Sequence, residues 1–129
     1  MKEGDKYSVK FSATAETYTS FIKIFKDKNP LHTDIDFAKA KGFDSVVLHG
    51  NILNGFISYF VGECLPDKNV MILSQQIDFH NPFFVGDELT LSVQLKEFSK
   101  AFNTMDFKFV FRNQANKKIA KGKIFVKQI

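Results

Sequence analysis

The chain has 129 residues and a formal net charge of +4 at pH 7. That length is enough for one hydrophobic core and too short for two independent ones, so we expect a single domain over residues 1–129 without a linker. The 17 lysines are accompanied by one arginine, Arg112. Because arginine makes most of the bidentate contacts to bases and phosphates, this composition argues against a nucleic-acid partner.

The longest apolar stretch, residues 52–65, is interrupted by polar residues and glycines and is too short to span a bilayer. The first ten residues carry lysines with no apolar run behind them, so we expect neither a secretory signal nor a membrane anchor. Cys64 is the only cysteine, which excludes an internal disulfide and agrees with a cytoplasmic location.

The chain begins with a predicted strand followed by a helix. Residues 7–13 alternate apolar and polar side chains, as in a half-buried strand. Thr14 is a favourable N-cap for a helix from Ala15 to about Lys28, because Pro30 disfavours helix at the residue before it. This prediction puts Asp27 in the last turn of the helix.

Two more helices are predicted before residue 65. Thr33 and Asp36 have the spacing of a capping box for a short helix that ends at Gly42, which puts His32 just before a helix start. From Asn51 to Cys64 the apolar positions cover more than half of the helix circumference. We therefore expect this second helix to be enclosed by the rest of the protein.

The second half of the chain reads as strands, with apolar residues alternating mostly with polar ones. The predicted apolar faces are Met71, Leu73, Ile77 and Phe79; Leu89, Leu91, Val93 and Leu95; Met105, Phe107, Phe109 and Phe111; and Ala120, Gly122, Ile124 and Val126. An antiparallel sheet with one apolar face and one long apolar helix predicts an α+β domain whose sheet curls around the helix. The lysines near the C-terminus are expected on a solvated strand face, with a docking surface for an anionic carrier as the functional alternative.

Two polar clusters carry the chemistry: Asp27-Lys28-Asn29-Pro30-Leu31-His32 and Leu48-His49-Gly50-Asn51. An acid and a histidine supply a general base and a proton donor, and a glycine at a helix start offers a backbone N–H to a developing negative charge. These are the parts needed to add water to an activated double bond or remove it. Taken alone, the first cluster also fits an ordinary helix exit. The dispersed histidines lack zinc-site spacing, so no metal is expected.

The run from Asp27 to His32, with Ala38 six positions after the histidine, resembles the hydratase 2 motif of the MaoC-like (R)-specific enoyl-CoA hydratases. The resemblance continues in order along nearly the whole chain, through Val47-Leu48-His49-Gly50, Ser58, Leu65-Pro66 and Pro82-Phe83-Phe84-Val85-Gly86-Asp87. It implies a hot-dog fold, in which an antiparallel sheet wraps a long central helix. The periodicity predicts the same architecture independently.

The resemblance also implies a reaction and its main residues. Asp27 and His32 would be the acid–base pair, Gly50 the oxyanion donor through its backbone N–H, and Ser58 a helper near the pair. The reaction implied is reversible hydration of a trans-2-enoyl thioester to an (R)-3-hydroxyacyl thioester. The acyl group would be carried on coenzyme A or acyl carrier protein, with no other cofactor, and would bind between the subunits of a homodimer.

For most of the remaining polar residues we expect structural roles. His49 is expected to bond a backbone group beside the oxyanion turn, and Asn29 to orient the turn in which it lies. His80 is placed at a strand end with no role. Asn51 departs from the family, in which methionine is common at this position, and its amide could lie near the thioester.

Two other functions remain open at this level. A hot-dog thioesterase would share the fold and the carrier but would hydrolyse the acyl bond. A non-catalytic subunit would bind the thioester without changing it, and the acid, histidine and glycine of the motif would then be surplus. Acyl chain length and choice of carrier depend on pocket shape, which the sequence does not give.

Overall fold

A computed structural model describes all of residues 1–129. The strands are β1 (Lys6–Ser12), β2 (Val70–Phe79), β3 (Glu88–Ser99), β4 (Thr104–Arg112) and β5 (Lys118–Gln128). The helices are α1 (Ala15–Phe25), α2 (Pro30–Thr33), α3 (Ile35–Ala40) and α4 (Ile52–Tyr59), and α4 continues into a π-helical turn over Phe60–Cys64.

The five strands form one antiparallel sheet in the order β1-β3-β4-β5-β2. One hydrophobic core lies between the sheet and α4, whose side chains Ile52, Leu53 and Ile57 are buried against it. This is the hot-dog arrangement expected from the sequence, and the α+β prediction is confirmed.

Three of the predicted strand faces are buried as expected. The alternating residues of β3, β4 and β5 point into the core because successive side chains of a strand face opposite sides of the sheet. Gly122 in β5 is required by close packing, since a Cβ atom there would lie 1.9 Å from the backbone oxygen of Gln76 in β2.

The predicted apolar face of β2 is wrong for its first half. The register of β2 against β5 shifts between Ile72 and Ser74, so Met71 and Leu73 are exposed while Ile72 packs against the core. A bulge of this kind moves every later side chain to the other face of the sheet. Ile77, beyond the bulge, packs against the core as predicted.

The predicted end of the first helix is also wrong. Thr14 caps α1 as expected, its Oγ1 accepting a hydrogen bond from the N–H of Thr17 at 3.1 Å. The helix ends at Phe25, and Lys26 adopts a left-handed conformation with φ of 61°. Asp27 therefore lies beyond the helix, on the loop that follows a left-handed C-cap.

The capping box predicted at Thr33 and Asp36 does not form. The cap of α3 is Asp34, whose side chain accepts from the N–H groups of Asp36 and Phe37. His32 lies inside the short helix α2 rather than ahead of a helix start. Asp34, one residue after Thr33, is an equally favourable N-cap residue, and it is the one that caps α3.

The central helix differs from its prediction in two ways. Regular α-helix ends at Tyr59, and the last predicted turn is π-helical. The helix is not enclosed by this chain, because Gly55, Ser58 and Tyr59 are exposed on the side away from the sheet. No helix in the protein combines the length and apolar character needed to cross a lipid bilayer.

Candidate active site

The two polar clusters meet at an open cleft of about 400 Å³. It is formed by the segment after α1, the loop before α4 and the loop after β2. The lining residues are Phe21, Asp27, His32, Val47, Leu48, His49, Gly50, Asn51, Phe79, His80, Asn81, Pro82 and Phe83. The structure thus brings together four of the predicted site residues, Asp27, His32, His49 and Gly50.

Asp27 presents a free carboxylate oxygen to this cleft. Its Oδ1 accepts a hydrogen bond from the N–H of Asn29 at 3.1 Å, which orients the carboxyl group. Its Oδ2 accepts no hydrogen bond within the chain and lies 3.9 Å from Nε2 of His49. The side chain is 50% exposed, so the second oxygen is open to a ligand or water.

The tautomer of neutral His32 is set by its backbone partner. Nδ1 lies 2.6 Å from the carbonyl oxygen of Val47, and a carbonyl only accepts, so Nδ1 carries the hydrogen. The other ring nitrogen, Nε2, is then an acceptor. The hydroxyl of Tyr18 donates to the backbone oxygen of His32 and fixes α2 against α1. Burial raises the pKa of Tyr18, which keeps this hydroxyl protonated.

His49 is buried and ties the two halves of the site together. Its Nε2 donates to the backbone oxygen of Asp27 at 2.9 Å, and its ring stacks on that of His32 with centroids 3.9 Å apart. Phe21 packs against the ring of His49, with centroids 4.6 Å apart. Nδ1 of His49 is buried without a hydrogen-bond partner. The backbone group that His49 bonds therefore belongs to the Asp27 loop, not to the oxyanion turn.

A carboxylate oxygen of Asp27 and a ring nitrogen from each of His32 and His49 all lie within 4.8 Å of one another. A water molecule with hydrogen bonds of about 2.8 Å to two acceptors bridges a gap of this size. The same trio is the only one in the chain with metal-ligand proximity. One nitrogen of each ring already bonds a carbonyl oxygen, that of Val47 for His32 and that of Asp27 for His49.

Gly50 supplies a backbone donor at the rim of the cleft. Its N–H makes no hydrogen bond within the chain, and it precedes α4 by two residues. A Cβ atom at this position would lie 2.7 Å from Cε1 of Phe79, so any side chain here requires the Phe79 ring to shift. The free amide and the nearby helix N-terminus both favour negative charge at this point.

The structure does not bring Ser58 to the acid and histidine within one chain. It lies on the exposed face of α4, seven residues beyond Asn51, which is about 10 Å along the helix axis. Asn29 does not line the cleft either. Its Oδ1 accepts from the N–H of Leu31 at 3.0 Å and caps α2, and its own N–H holds Asp27.

Sequence reasoning missed the wall of the cleft that follows β2, which includes Phe79, His80 and Asn81. His80 lies directly after β2, as predicted, and it also borders the cleft. The backbone N–H of His80 donates to the carbonyl oxygen of Ile119. The side-chain Nδ2 of Asn81 donates to the carbonyl oxygen of Lys118, so both bonds fix this wall to β5. The one signal for it was the turn sequence that begins at Pro82.

A larger groove of about 880 Å³ runs between α1 and α4. It shares Phe21, Asp27 and Asn51 with the cleft and continues along Ile24, Phe25, Gly55 and Phe56. The acid therefore lies where a polar cleft joins a groove with an apolar wall.

Comparison with known proteins places this architecture in a family. The sequence model described as "MaoC like domain" matches residues 3–116. The chain therefore belongs to the MaoC-like domain family.

Individual relatives agree with this assignment. The chain is 34% identical over 95 residues to the (R)-specific enoyl-CoA hydratase of Aeromonas caviae, covering 74% of this chain and 71% of the relative. It is 26% identical over 109 residues to the mitochondrial 3-hydroxyacyl-[acyl-carrier-protein] dehydratase of Arabidopsis thaliana, covering 84% and 64%. The solved structure of an A. caviae (R)-hydratase involved in PHA biosynthesis superposes with a TM-score of 0.91 at 28% identity, covering 100% of this chain and 98% of that one.

Proposed function

We propose that the protein catalyses the reversible hydration of trans-2-enoyl thioesters to (R)-3-hydroxyacyl thioesters. The observation that carries the proposal is the placement of Asp27, His32 and Gly50 around one cleft. There, a carboxylate oxygen and an imidazole nitrogen lie within 4.8 Å, and an unpaired backbone N–H borders the same space.

The pair is suited to holding one water by both of its hydrogens. Oδ2 of Asp27 and Nε2 of His32 are both acceptors, so the water oxygen directs its lone pairs away from them. One member of the pair removes a proton as that oxygen bonds to C3 of the enoyl group, and the proton is returned to C2. The reverse sequence removes water from the 3-hydroxyacyl thioester.

Negative charge develops on the thioester oxygen between these two events. The free N–H of Gly50 is a preorganised donor for that oxygen, and it needs no rearrangement at the moment of reaction. The reaction involves no net oxidation or reduction, so the proposal requires no cofactor beyond coenzyme A or the phosphopantetheine that carries the acyl group. The (R) configuration is proposed from the names of the A. caviae and Rhodospirillum rubrum relatives.

We also propose that the active form is a homodimer joined along β2, with the thioester bound between subunits. In support, β2 is an edge strand of ten residues whose backbone groups are free on one side. Tyr59, Met71, Leu73 and Phe79, on the adjoining face of α4 and on β2, are each about half exposed. Edges of this kind are normally covered. A cytoplasmic location is proposed from the single, unbridged Cys64.

The test is incubation of the purified protein with crotonyl-CoA while the enoyl-thioester absorbance and free thiol are followed together. Loss of absorbance without thiol release, with chiral analysis giving the (R)-3-hydroxy product, supports the hydratase. Thiol release would identify a thioesterase instead. Binding of the thioester without either change, repeated with longer chains and with acyl carrier protein, would identify a non-catalytic binding subunit.

A further inference from the structure

Three side-chain amides form a hydrogen-bonded chain from the sheet to the cleft. Nε2 of Gln75, on β2, donates to Oδ1 of Asn54 at 2.6 Å. Nδ2 of Asn54, on α4, donates to Oδ1 of Asn51 at 2.8 Å. Each link joins the NH₂ group of one amide to the oxygen of the next.

The last member of this chain has a donor to spare. Oδ1 of Asn51 is the acceptor in the final link, and its Nδ2 has no partner within the protein. Asn51 borders both the cleft of Asp27 and the groove between α1 and α4. It also follows Gly50 directly in the sequence, and both residues line the cleft just before α4 begins.

We propose that Nδ2 of Asn51 donates a hydrogen bond to the carbonyl oxygen of the bound thioester, beside the N–H of Gly50. Asn54 and Gln75 are positioning residues that hold this amide in place. The inference rests on the proposed function in one respect, namely that the cleft binds an acyl thioester. It adds a second oxyanion donor, and the donor comes from a side chain rather than from the backbone.

The hydrogen bonds among the three amides explain how an exposed asparagine can serve as an ordered donor. A free side chain at the start of a helix samples several rotamers, and ordering it would cost part of the gain on binding. The hydrogen bond to Asn54, which Gln75 holds in turn, orders the Asn51 side chain when the protein folds, before a ligand binds. The amide is neutral, so it favours the developing oxyanion without competing for Asp27 as a lysine would.

The experiment uses Asn51→Leu, Asn51→Ser and Gln75→Leu, with Gln94→Leu as the control. Gln94 lies on the internal strand β3, away from the β2 edge, and faces the side of the sheet opposite the core without a side-chain hydrogen bond. Butyryl-CoA labelled with ¹³C at the carbonyl lacks the double bond and cannot be hydrated. Its carbonyl stretch, read by isotope-edited infrared spectroscopy, reports hydrogen bonding at the thioester oxygen in the bound state. Crotonyl-CoA turnover is measured alongside.

Bound to the wild-type protein, the carbonyl should absorb at lower frequency than in water. Asn51→Leu and Asn51→Ser should lose much of that shift and reduce kcat by about 10- to 100-fold with little change in KM. Gln75→Leu should have a smaller effect of the same sign, and Gln94→Leu none. Two independent substitutions at Asn51 protect the test against one that fails to fold.

The outcomes separate this inference from the proposed function. Hydration with a carbonyl shift that is insensitive to Asn51 overturns the donor role and leaves the hydratase standing. A shift that depends on Asn51 in a protein that does not hydrate crotonyl-CoA supports the donor and overturns the hydratase. Absence of any bound thioester at millimolar concentration overturns both.

Discussion

Nε2 of His49 lies 2.9 Å from the backbone oxygen of Asp27, so a buried imidazole holds the loop that carries the proposed base. The same ring stacks on His32, the other member of the pair. His49 thereby contacts both members of the proposed acid–base pair. The separation of Asp27 and His32 is therefore a property of the folded chain before any substrate binds.

Replacement of His49 should uncouple the pair while leaving the fold intact. His49→Phe keeps a stacked ring but loses the bond to Asp27, which costs roughly 0.5–1.5 kcal/mol of stability for a hydrogen bond of this kind. We expect a modest fall in the free energy of unfolding and a fall in kcat of about tenfold or more, because small misplacements of a catalytic group are costly. Urea unfolding and crotonyl-CoA turnover measure the two effects. A variant with wild-type kcat would show that His49 does not position the loop.

Tyr18 should give the protein an alkaline limit of stability. Burial raises the pKa of Tyr18, so the unfolded chain loses this proton at a lower pH than the folded protein does. Stability is therefore fully present below the unfolded pKa and falls as pH rises through the folded one. Tyr18→Phe should show a shallower loss as pH rises above about 10, the ordinary tyrosine value, measured as the urea midpoint, while Tyr7, whose pKa is also raised, remains in both proteins. Identical slopes would contradict the assignment.

Alanine at position 50 should be unfavourable while Phe79 is present. The Cβ of Gly50→Ala would lie 2.7 Å from Cε1 of Phe79, and overpacking of this kind costs about 1–3 kcal/mol. We expect lower thermal stability and lower kcat, because relief of the clash moves the oxyanion turn. Adding Phe79→Leu should restore much of both, since alanine retains the backbone N–H. If the double variant is no better than Gly50→Ala, steric contact with Phe79 is not the reason for the glycine.

The β2 edge should determine the oligomeric state. Leu73→Lys places a charge on an apolar side chain that is exposed in the single chain, so a dimer joined along β2 should dissociate to monomers. Ser8→Lys, on the opposite edge strand β1, is the control and should leave the dimer intact. Light scattering after size exclusion reads both. A wild-type monomer, or a dimer unaffected by Leu73→Lys, would contradict the proposed interface.

The elements predicted best are those whose pattern is purely local. The alternation in β3, β4 and β5 identified the buried faces because each strand runs without interruption through the core. The face of β2 was mispredicted because one bulge at residues 72–74 reverses the sides. The end of α1 was placed too late because the left-handed turn at Lys26 leaves no signature of glycine or asparagine in the sequence.

The candidate site also contains some residues that the sequence predicted and others that it missed. Asp27, His32, His49 and Gly50 were predicted together and border one cleft, because they lie in two short segments, one that runs into α2 and one that precedes α4. Phe79 and His80 were missed because a strand end reaches the cleft only through sheet pairing with β5. The role predicted for Ser58 remains a prediction, since the exposed face of α4 keeps it away from the pair in a single chain.

The most direct test of the account is crotonyl-CoA hydration by the wild-type protein beside Asp27→Asn and His32→Gln. Binding of butyryl-CoA and thermal unfolding serve as controls for an intact site and fold. The account predicts hydration by the wild type and a loss of about 100-fold or more in kcat for each variant, with thioester affinity nearly unchanged. Hydration that survives both substitutions would contradict the assignment of the acid–base pair, and no hydration by the wild type with any acyl carrier would contradict the proposed function.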